Sequence, residues 1–295
     1  MKYTKQELLK LSSLSTTLKE ANILGRLLPL KDLNVYSNHD IRPYHFFDVY
    51  ESLGLDRNSQ YNLLEIGNRW CGSLWGWRVW LPESNIFGLD IDPETKYFSN
   101  QNEKIGIKIY EGDQTDKTLL NQIHTETGGL DIVIDDGGHT MGQINTTFET
   151  LWPLLNDGGV YIVEDLHTCY WPSYEGGYKA KNSSMEMFKS LFDNIHSCYY
   201  KAESPDSDQA KHLTINEPSN YLDKSVSSIH MYDSLVVIYK NIKPKLKPFS
   251  PEGNFTIECL TDPQNFKNLK IPSMLTPDEV LHYKSLYTQG LKIIS

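Results

Sequence analysis

The sequence predicts an α/β protein with a doubly wound, mostly parallel β-sheet. The first observation behind this prediction is that short, nearly continuous apolar runs alternate with longer helical or polar stretches in the middle of the chain. This pattern is typical of parallel strands that are buried on both faces. The second observation is that glycine and acidic residues follow directly after these runs. They therefore lie at the edge of an open α/β sheet where ligands bind.

Five strands are predicted from the apolar runs, at residues 61–66, 85–91, 107–112, 130–135 and 159–164. Two more are predicted in residues 226–240, where two β-rich runs are broken at Tyr232-Asp233. Such a break indicates a hairpin. Because a hairpin joins antiparallel strands, we expect an antiparallel strand at one edge of a seven-stranded sheet.

Helical patterns flank the predicted sheet, over residues 4–30, 44–55 and 276–287. The first begins with Thr4 and Glu7 at the spacing of a capping box, and the last begins with a threonine followed by a proline, which favours a helix start. We therefore divide the chain into an N-terminal helical segment, a central domain and a C-terminal extension, at residues 1–55, 56–242 and 243–295.

Composition and charge exclude several classes of protein. The 295 residues carry a formal net charge of -10, whereas a nucleic-acid-binding surface concentrates lysine and arginine. The four cysteines form no C-x-x-C pair, so neither a zinc framework nor a dense disulfide scaffold is indicated. The N-terminus lacks the apolar core of a signal peptide, and the sequence lacks the long apolar run of a membrane span. We expect a cytoplasmic protein with no membrane contact.

The first three strand ends carry the features of a nucleotide-binding wall. Gly67 and Gly72 allow tight turns and a close approach of the backbone to a ligand. Glu65 and Asp90 lie at the ends of the first two strands and are 90 − 65 = 25 residues apart, which suits an acid that accepts hydrogen bonds from a ribose. The third strand is followed by two polar residues placed to read an adenine edge, Asp113 and Gln114.

Two pairs of adjacent acids, Asp135-Asp136 and Glu164-Asp165, end the fourth and fifth strands. Because these strands are expected to be neighbours, Asp136, Glu164 and Asp165 should converge. Three unpaired carboxylates repel one another in a cleft of low dielectric constant, and a hard divalent cation, Mg²⁺ or Mn²⁺, relieves that repulsion. His139 lies one tight turn beyond Asp136, where it could take a proton near neutral pH. The alternative is that the acids cap the N-termini of helices.

Six stretches of the sequence resemble class I S-adenosylmethionine-dependent methyltransferases, in particular the macrolide-sugar O-methyltransferases of the mycinamicin type. They are LLEIGNRWCGSL, FGLDIDP, EGDQTD, DIVIDDGGHTM, FETLWPLLNDGGVYIVEDLHTCYWP and SIHMYDSLVVIYK. The resemblance implies a Rossmann-like sheet. It also implies methyl transfer from S-adenosylmethionine to a hydroxyl group of a sugar or another polyol-bearing small molecule, in the tailoring of natural products or surface glycans.

The resemblance also implies roles for the strand-end residues. Asp136, Glu164 and Asp165 are the expected Mg²⁺ ligands, and His139 is the expected general base, with Asp136 next in line for that role. The residues that we expect to face S-adenosylmethionine are Glu65, Gly67, Gly72, Ser73, Asp90, Asp113, Gln114 and Asp135. The sequence departs from the family pattern in the glycine-rich turn, where Cys71 replaces a usual glycine.

The pocket for the methyl acceptor is predicted from residues around the second acidic pair. Residues 167–184 are rich in aromatic residues and glycine, and we interpret them as a lid over the acceptor. His167 is expected either beside the acceptor or as a partner of a ligand carboxylate. Further pocket residues are predicted on the lid and on the second helix, namely Tyr170, Trp171, Tyr44 and His45. Tyr50 could also line the pocket, although packing is its favoured role. Self-association into a homo-oligomer is left open.

Three other functions account for parts of the same sequence pattern. A non-haem iron hydroxylase would use Asp136, His139 and His167 as a two-histidine, one-carboxylate triad, but this leaves the second acidic pair unexplained. A nicotinamide dehydrogenase would use Glu65 and Asp90 and needs no metal. A nucleotide-binding protein without catalytic activity would be favoured if the carboxylates were substituted, and they are intact.

Overall fold

A seven-stranded sheet with the order β3-β2-β1-β4-β5-β7-β6 lies at the centre of the chain. The structure, a computed structural model, describes residues 5–25, 44–69, 71–98, 103, 105–196 and 221–242. The strands are β1 Asn62–Ile66, β2 Asn85–Asp90, β3 Ile107–Glu111, β4 Leu130–Asp135, β5 Leu155–Val163, β6 Val226–Tyr232 and β7 Leu235–Lys240. Strands β1 to β5 are parallel, and β7 is antiparallel to both β5 and β6. The predicted fold class is confirmed, with the β6–β7 hairpin at the edge beside β5.

The described helices cover both faces of this sheet. They are α1 Lys5–Leu14, α2 Leu18–Gly25, α3 Tyr44–Ser52, α4 Gly72–Trp80, α5 Lys117–Thr127, α6 Met141–Leu154, α7 Ser184–Ile195 and α8 Tyr221–Ser225. One hydrophobic cluster joins α1–α4 to strand residues such as Leu63 and Ile134, and a second joins α5–α7 to their neighbours Leu64 and Val133. Burial on both faces explains why the strands are apolar without alternation.

The register of the parallel strands aligns their carboxyl ends. Ile66 in β1 lies beside Leu89 in β2 and Asp135 in β4, and Asp135 lies beside Val163 in β5. The strands remain joined just past their ends, because the Glu164 N–H donates to the Asp135 carbonyl oxygen at 3.0 Å. The residues that follow these strands therefore share one edge of the sheet, as predicted.

The N-terminal segment differs from the single helix that was predicted over residues 4–30. It contains two helices separated by Ser15–Thr17, and residues 26–30 lie outside the described residues. The break is stabilised by Glu20, whose carboxylate accepts from the Thr16 N–H at 2.7 Å, and by Arg57, whose Nη1 donates to the Ser15 carbonyl oxygen at 2.8 Å. Serine and threonine favour such caps over helix interiors, which is why the leucine periodicity alone was misleading.

Helix α2 packs so closely on α4 that a Cβ atom at Gly25 would collide with the backbone of Trp75. Residues Met1–Lys243 form one compact unit. A second unit, Pro244–Ser295, lies outside the described residues, as does the predicted helix over 276–287. Within the described ranges, no helix is both long enough and apolar enough to cross a bilayer.

Lys240, the last residue of β7, is buried against the end of α6. Its Nζ donates to the carbonyl oxygens of Trp152, at 2.9 Å, and of Pro153, at 3.2 Å, and also to that of Leu155. The last carbonyl groups of a helix lack partners within the helix and attract a positive charge. Lys240 therefore joins the antiparallel strand to the C-terminus of α6.

We expect Lys240→Met to lower the free energy of unfolding by about 1–3 kcal/mol, because it leaves buried carbonyl groups without a donor. All 6 tryptophans lie within Met1–Lys243, so urea unfolding followed by tryptophan fluorescence reports on this unit. Lys224→Met removes an exposed lysine of α8 and serves as the control. Equal urea midpoints for the two variants would show that the buried ammonium group contributes no stability.

Candidate functional site

A cleft with a volume of about 490 Å³ opens over the carboxyl ends of the parallel strands. Most of the residues predicted for the site line it, namely Gly67, Gly72, Ser73, Asp90, Asp113, Gln114, Asp136, His139 and Asp165. Glu65, Asp135 and Glu164 do not line it and are almost completely buried. The predicted acids therefore form two groups, one facing the cleft and one beneath it.

The wall after β1 is built by close backbone packing. Gly67 has a φ of +85°, and a Cβ atom there would collide with the carbonyl group of Asp136. Only glycine meets both requirements without strain. Cys71, which replaces a usual glycine, has a φ of +59° and precedes α4.

The two acids that were predicted at the first two strand ends differ in position. Asp90 reaches the cleft, and its carboxylate accepts from the N–H groups of Arg69 and Asp92, the latter at 2.8 Å. Glu65 is buried under α4, where its carboxylate accepts from the Ser73 hydroxyl and from Trp77 Nε1, the latter at 3.0 Å. Asp90 is thus placed to meet a ligand, whereas Glu65 anchors the first turns of α4.

Asp113 and Gln114 line the cleft after β3 but are engaged with the protein. The Asp113 carboxylate accepts from the N–H group of Thr115 at 2.7 Å. Gln114 Nε2 donates to Asp135 Oδ1 at 3.0 Å. Burial raises the pKa of Asp135 to about 7, although hydrogen bonds from Gly137 and Gln114 act in the opposite direction. Asp135 is therefore a buried support of the loop that follows β4.

Asp136, His139 and Asp165 come together at the far end of the cleft. Each places a potential ligand atom within 4.8 Å of the others, and His139 Nε2 lies 3.6 Å from Asp165 Oδ2. Both His139 and Asp165 have a left-handed backbone, with φ values of +59° and +56°. Non-glycine residues in this region are uncommon and concentrate at functional sites. Two carboxylates and an imidazole suit a divalent cation such as Mg²⁺ or Mn²⁺, so the residues present fit a metal.

The protonation of His139 is set by its surroundings. Burial lowers the pKa of His139; the nearby Asp165 carboxylate raises it, and His167 lowers it further. The net direction is downward, which favours the neutral imidazole near pH 7. A neutral imidazole can ligate a metal or accept a proton.

Glu164, the third predicted ligand, lies beside the close group of three but is not part of it. Its carboxylate accepts a hydrogen bond from the Tyr50 hydroxyl. Tyr50 also packs edge-on against Trp77, with ring centroids 5.0 Å apart. Sequence reasoning favoured packing for Tyr50 over a place in the acceptor pocket, and it missed this hydrogen bond. The sequence contained a signal for this hydrogen bond, because Tyr50 places a hydroxyl group on an otherwise apolar face of α3. A buried tyrosine hydroxyl usually has a partner.

Two of the predicted acceptor residues, His167 and His45, meet the turn of the β6–β7 hairpin. His167 Nδ1 lies 2.6 Å from Ser234 Oγ and 3.9 Å from Asp165 Oδ1. His45 Nε2 lies 2.8 Å from the carbonyl oxygen of Asp233. The turn therefore joins α3 to the residues after β5, and sequence reasoning missed this contribution of Ser234. The side chain of Tyr44 lies outside the described residues.

The segment predicted as a lid is ordered by 3₁₀ turns at Leu166–Tyr170 and Pro172–Tyr174. Trp171 packs edge-on against His167, with ring centroids 4.7 Å apart. Tyr170 and Trp171 are 43% and 47% exposed, so an aromatic surface beside Asp165 remains open to a ligand.

Known proteins are similar to this chain in both sequence and structure. No family model matches the chain. The mycinamicin VI 2''-O-methyltransferase of Micromonospora griseorubida is 33% identical over 194 residues, which are 62% of this chain and 45% of that protein. The 8-demethyl-8-alpha-L-rhamnosyl tetracenomycin-C 2'-O-methyltransferase of Streptomyces olivaceus is 31% identical over 170 residues, with coverage of 57% and 41%. The chain thus spans less than half the length of these two relatives.

Among solved structures, the chain is similar to MycE, a methyltransferase of the mycinamycin biosynthetic pathway. The complex of MycE with Mg and SAH superposes with a TM-score of 0.58 at 27% identity, covering 78% of this chain and 58% of MycE. A further complex that also contains mycinamycin VI gives a TM-score of 0.56 at 28% identity, with coverage of 76% and 57%. The chain therefore has the Rossmann-like fold of class I methyltransferases and resembles sugar O-methyltransferases in both sequence and structure.

Proposed function

We propose that the chain is a cytoplasmic, Mg²⁺-dependent O-methyltransferase. It would transfer the methyl group of S-adenosylmethionine to a hydroxyl group of a sugar or another polyol-bearing small molecule. The observation that carries this proposal is the single cleft, in which a glycine-lined wall containing Asp90 faces the group of Asp136, His139 and Asp165. The similarity to MycE, whose structure contains Mg and SAH, supports the same arrangement.

The methyl donor would lie against the wall after β1 and β2. Gly67 and Gly72 leave room for the backbone to approach it, and the Asp90 carboxylate would accept hydrogen bonds from the ribose hydroxyl groups. Arg69 and Asp92 hold that carboxylate in place through their N–H groups. The donor needs orientation more than activation, because its sulfonium group is already reactive.

The metal would be held by Asp136 and Asp165, with Glu164 contributed from the adjacent position. When bound, Mg²⁺ would act as a Lewis acid that orients the acceptor and lowers the pKa of its reacting hydroxyl group. Tyr50 and the Asp135 carbonyl group restrain Glu164, and His167 lies against Asp165 on the solvent side. The aromatic surface of Tyr170 and Trp171 would pack against the ring of the acceptor.

His139 would act as the general base. In the transfer, an acceptor oxygen forms a bond to the methyl carbon while the carbon–sulfur bond breaks. The electron pair of that bond passes to sulfur, which becomes the neutral thioether of S-adenosylhomocysteine. His139 takes the hydroxyl proton, and the lowered pKa of its imidazole keeps the ring in the neutral form that can do so.

The hydroxylase alternative needs His167 as a metal ligand. In the described residues, however, the acidic residue Asp165 rather than His167 completes the close group with Asp136 and His139, while His167 Nδ1 lies within hydrogen-bonding distance of Ser234. The described residues therefore do not bring together the two histidines and one carboxylate of such an iron site.

The first prediction concerns the donor. Asp90→Ala is expected to weaken binding of S-adenosylmethionine by roughly 10- to 100-fold, because hydrogen bonds to a charged group contribute about 1.5–3 kcal/mol. Isothermal titration calorimetry measures this, and NAD⁺ should not bind either protein. Asp92→Ala removes the neighbouring carboxylate of the same loop and is the matched control. Equal affinities of the Asp90 variant and the wild type would exclude the ribose contact.

The second prediction concerns the metal. EDTA should abolish release of S-adenosylhomocysteine in the presence of a panel of methyl glycosides with vicinal diols, and Mg²⁺ should restore it. Asp165→Asn should lose Mn²⁺ binding, measured by electron paramagnetic resonance, yet still bind S-adenosylmethionine. Asp193→Asn, on the exposed face of α7, controls for the change in net charge. Full activity in chelated protein would contradict the proposal.

The third prediction concerns the base. His139→Asn should lower turnover by roughly 10²- to 10⁴-fold, because asparagine tolerates the left-handed backbone at this position but takes no proton. Binding of Mn²⁺ and S-adenosylmethionine should change little. If this variant instead loses metal affinity and recovers turnover at saturating Mg²⁺, His139 is a ligand and another group is the base.

A further inference from the structure

The side chain of Gln114 spans the gap between the end of β3 and the loop after β4. We call residues 135–139 the acidic loop, since they carry Asp136 and His139. Gln114 Nε2 donates to Asp135 Oδ1 at 3.0 Å and to Thr147 Oγ1 of α6 at 3.1 Å. Gln114 Oε1 accepts from the Gly138 N–H at 2.7 Å. One amide thus contacts the acidic loop at two points and joins it to α6.

The orientation of this amide is fixed by its partners. A backbone N–H can only donate, so the atom facing Gly138 must be the amide oxygen. Both hydrogens of Nε2 are then used by Asp135 and Thr147. The side chain is also only 6% exposed. Both N–H groups of the Gln114 amide therefore donate within the protein. Neither remains to donate to an adenine edge, which is the contact that the sequence predicted.

The packing around Gln114 explains the two glycines of the acidic loop. A Cβ atom at Gly137 would collide with the Gln114 amide, and a Cβ atom at Gly138 would collide with the amide of Gln143. Gln143 is itself fixed as part of the capping box of α6, together with Thr140. A side chain at either glycine would therefore displace one of the two glutamine amides that enclose the loop.

The packing around the acidic loop affects the predicted metal ligand, Asp136, and the predicted general base, His139. Asp136 lies between the two loop residues that Gln114 contacts, and His139 follows the second of them directly. The path of the loop backbone therefore decides where the Asp136 carboxylate and the His139 ring can lie. We propose that Gln114 is a positioning residue that fixes the acidic loop for metal binding, rather than a contact of the nucleotide base. The inference rests on the metal site of the proposed function.

The test separates metal binding from donor binding. Gln114→Met keeps a side chain of similar length but removes all three hydrogen bonds. Its affinity for Mn²⁺, measured by electron paramagnetic resonance without S-adenosylhomocysteine, should fall by roughly 10- to 100-fold, as for other residues that orient metal ligands. Its affinity for S-adenosylhomocysteine, measured by calorimetry with EDTA present, should stay close to that of the wild type. A contact with adenine would give the reverse pattern and would overturn the inference.

A control variant and a second variant of Gln114 complete the test. Asp113→Ala changes the adjacent residue of the same cleft wall without touching the acidic loop, and its Mn²⁺ affinity should equal that of the wild type. Gln114→Leu removes the same hydrogen bonds without adding a charge, so it should also weaken Mn²⁺ binding and carries the test if Gln114→Met does not fold. Unchanged Mn²⁺ affinity in either folded Gln114 variant would refute the inference. Absence of Mn²⁺ binding to the wild type would instead refute the metal site itself.

Discussion

The close approach of Gly67 to the carbonyl group of Asp136 determines how the whole cleft is built. It follows from the register of β1 and β4, in which Ile66 lies beside Asp135, and it brings the turn after β1 against the start of the acidic loop. Any side chain at position 67 would force the two loops apart. The donor wall and the group of Asp136, His139 and Asp165 can share one cleft only because this contact exists. The methyl transfer that we propose would need that proximity, since its barrier is lowered mainly by orientation.

The acidic residues of the site fall into two groups, those buried beneath the cleft and those at its surface. The acids beneath the cleft are held by donors from the protein: Glu65 by Ser73 and Trp77, Asp135 by Gln114, and Glu164 by Tyr50. Burying a carboxylate without such donors is costly. At the cleft surface, Asp136 and Asp165 instead converge with an imidazole, whose burial disfavours a positive charge. The deep acids thus accept hydrogen bonds from the protein, whereas Asp136 and Asp165 lie at the cleft surface, where their charges suit the cation that we propose.

The sheet could be predicted from the sequence because its signals are local. An apolar run followed by glycine or an acid marks both a parallel strand and its carboxyl end, and this also located Asp90, Asp136, His139 and Asp165. The interactions that were missed join residues far apart in the chain. Tyr50 and Glu164 are 114 residues apart, and Gln114 meets Thr147 across 33 residues. No periodicity encodes such partners, because they depend on how elements pack. The break between α1 and α2 was missed for a different reason, since capping by Glu20 and Arg57 overrode the leucine pattern.

The hydrogen bond from Tyr50 to Glu164 has a consequence for the folding of the chain. Helix α3 is synthesised long before β5, yet its phenol reaches its acceptor only after the sheet has formed. A contact of such long sequence separation must overcome the entropy of closing a large loop, so it forms late. We therefore expect this corner of the candidate site to become rigid late in folding. Local opening of α3 would loosen that corner while the sheet remained intact, and the protection of the α3 amides from hydrogen exchange would report on it.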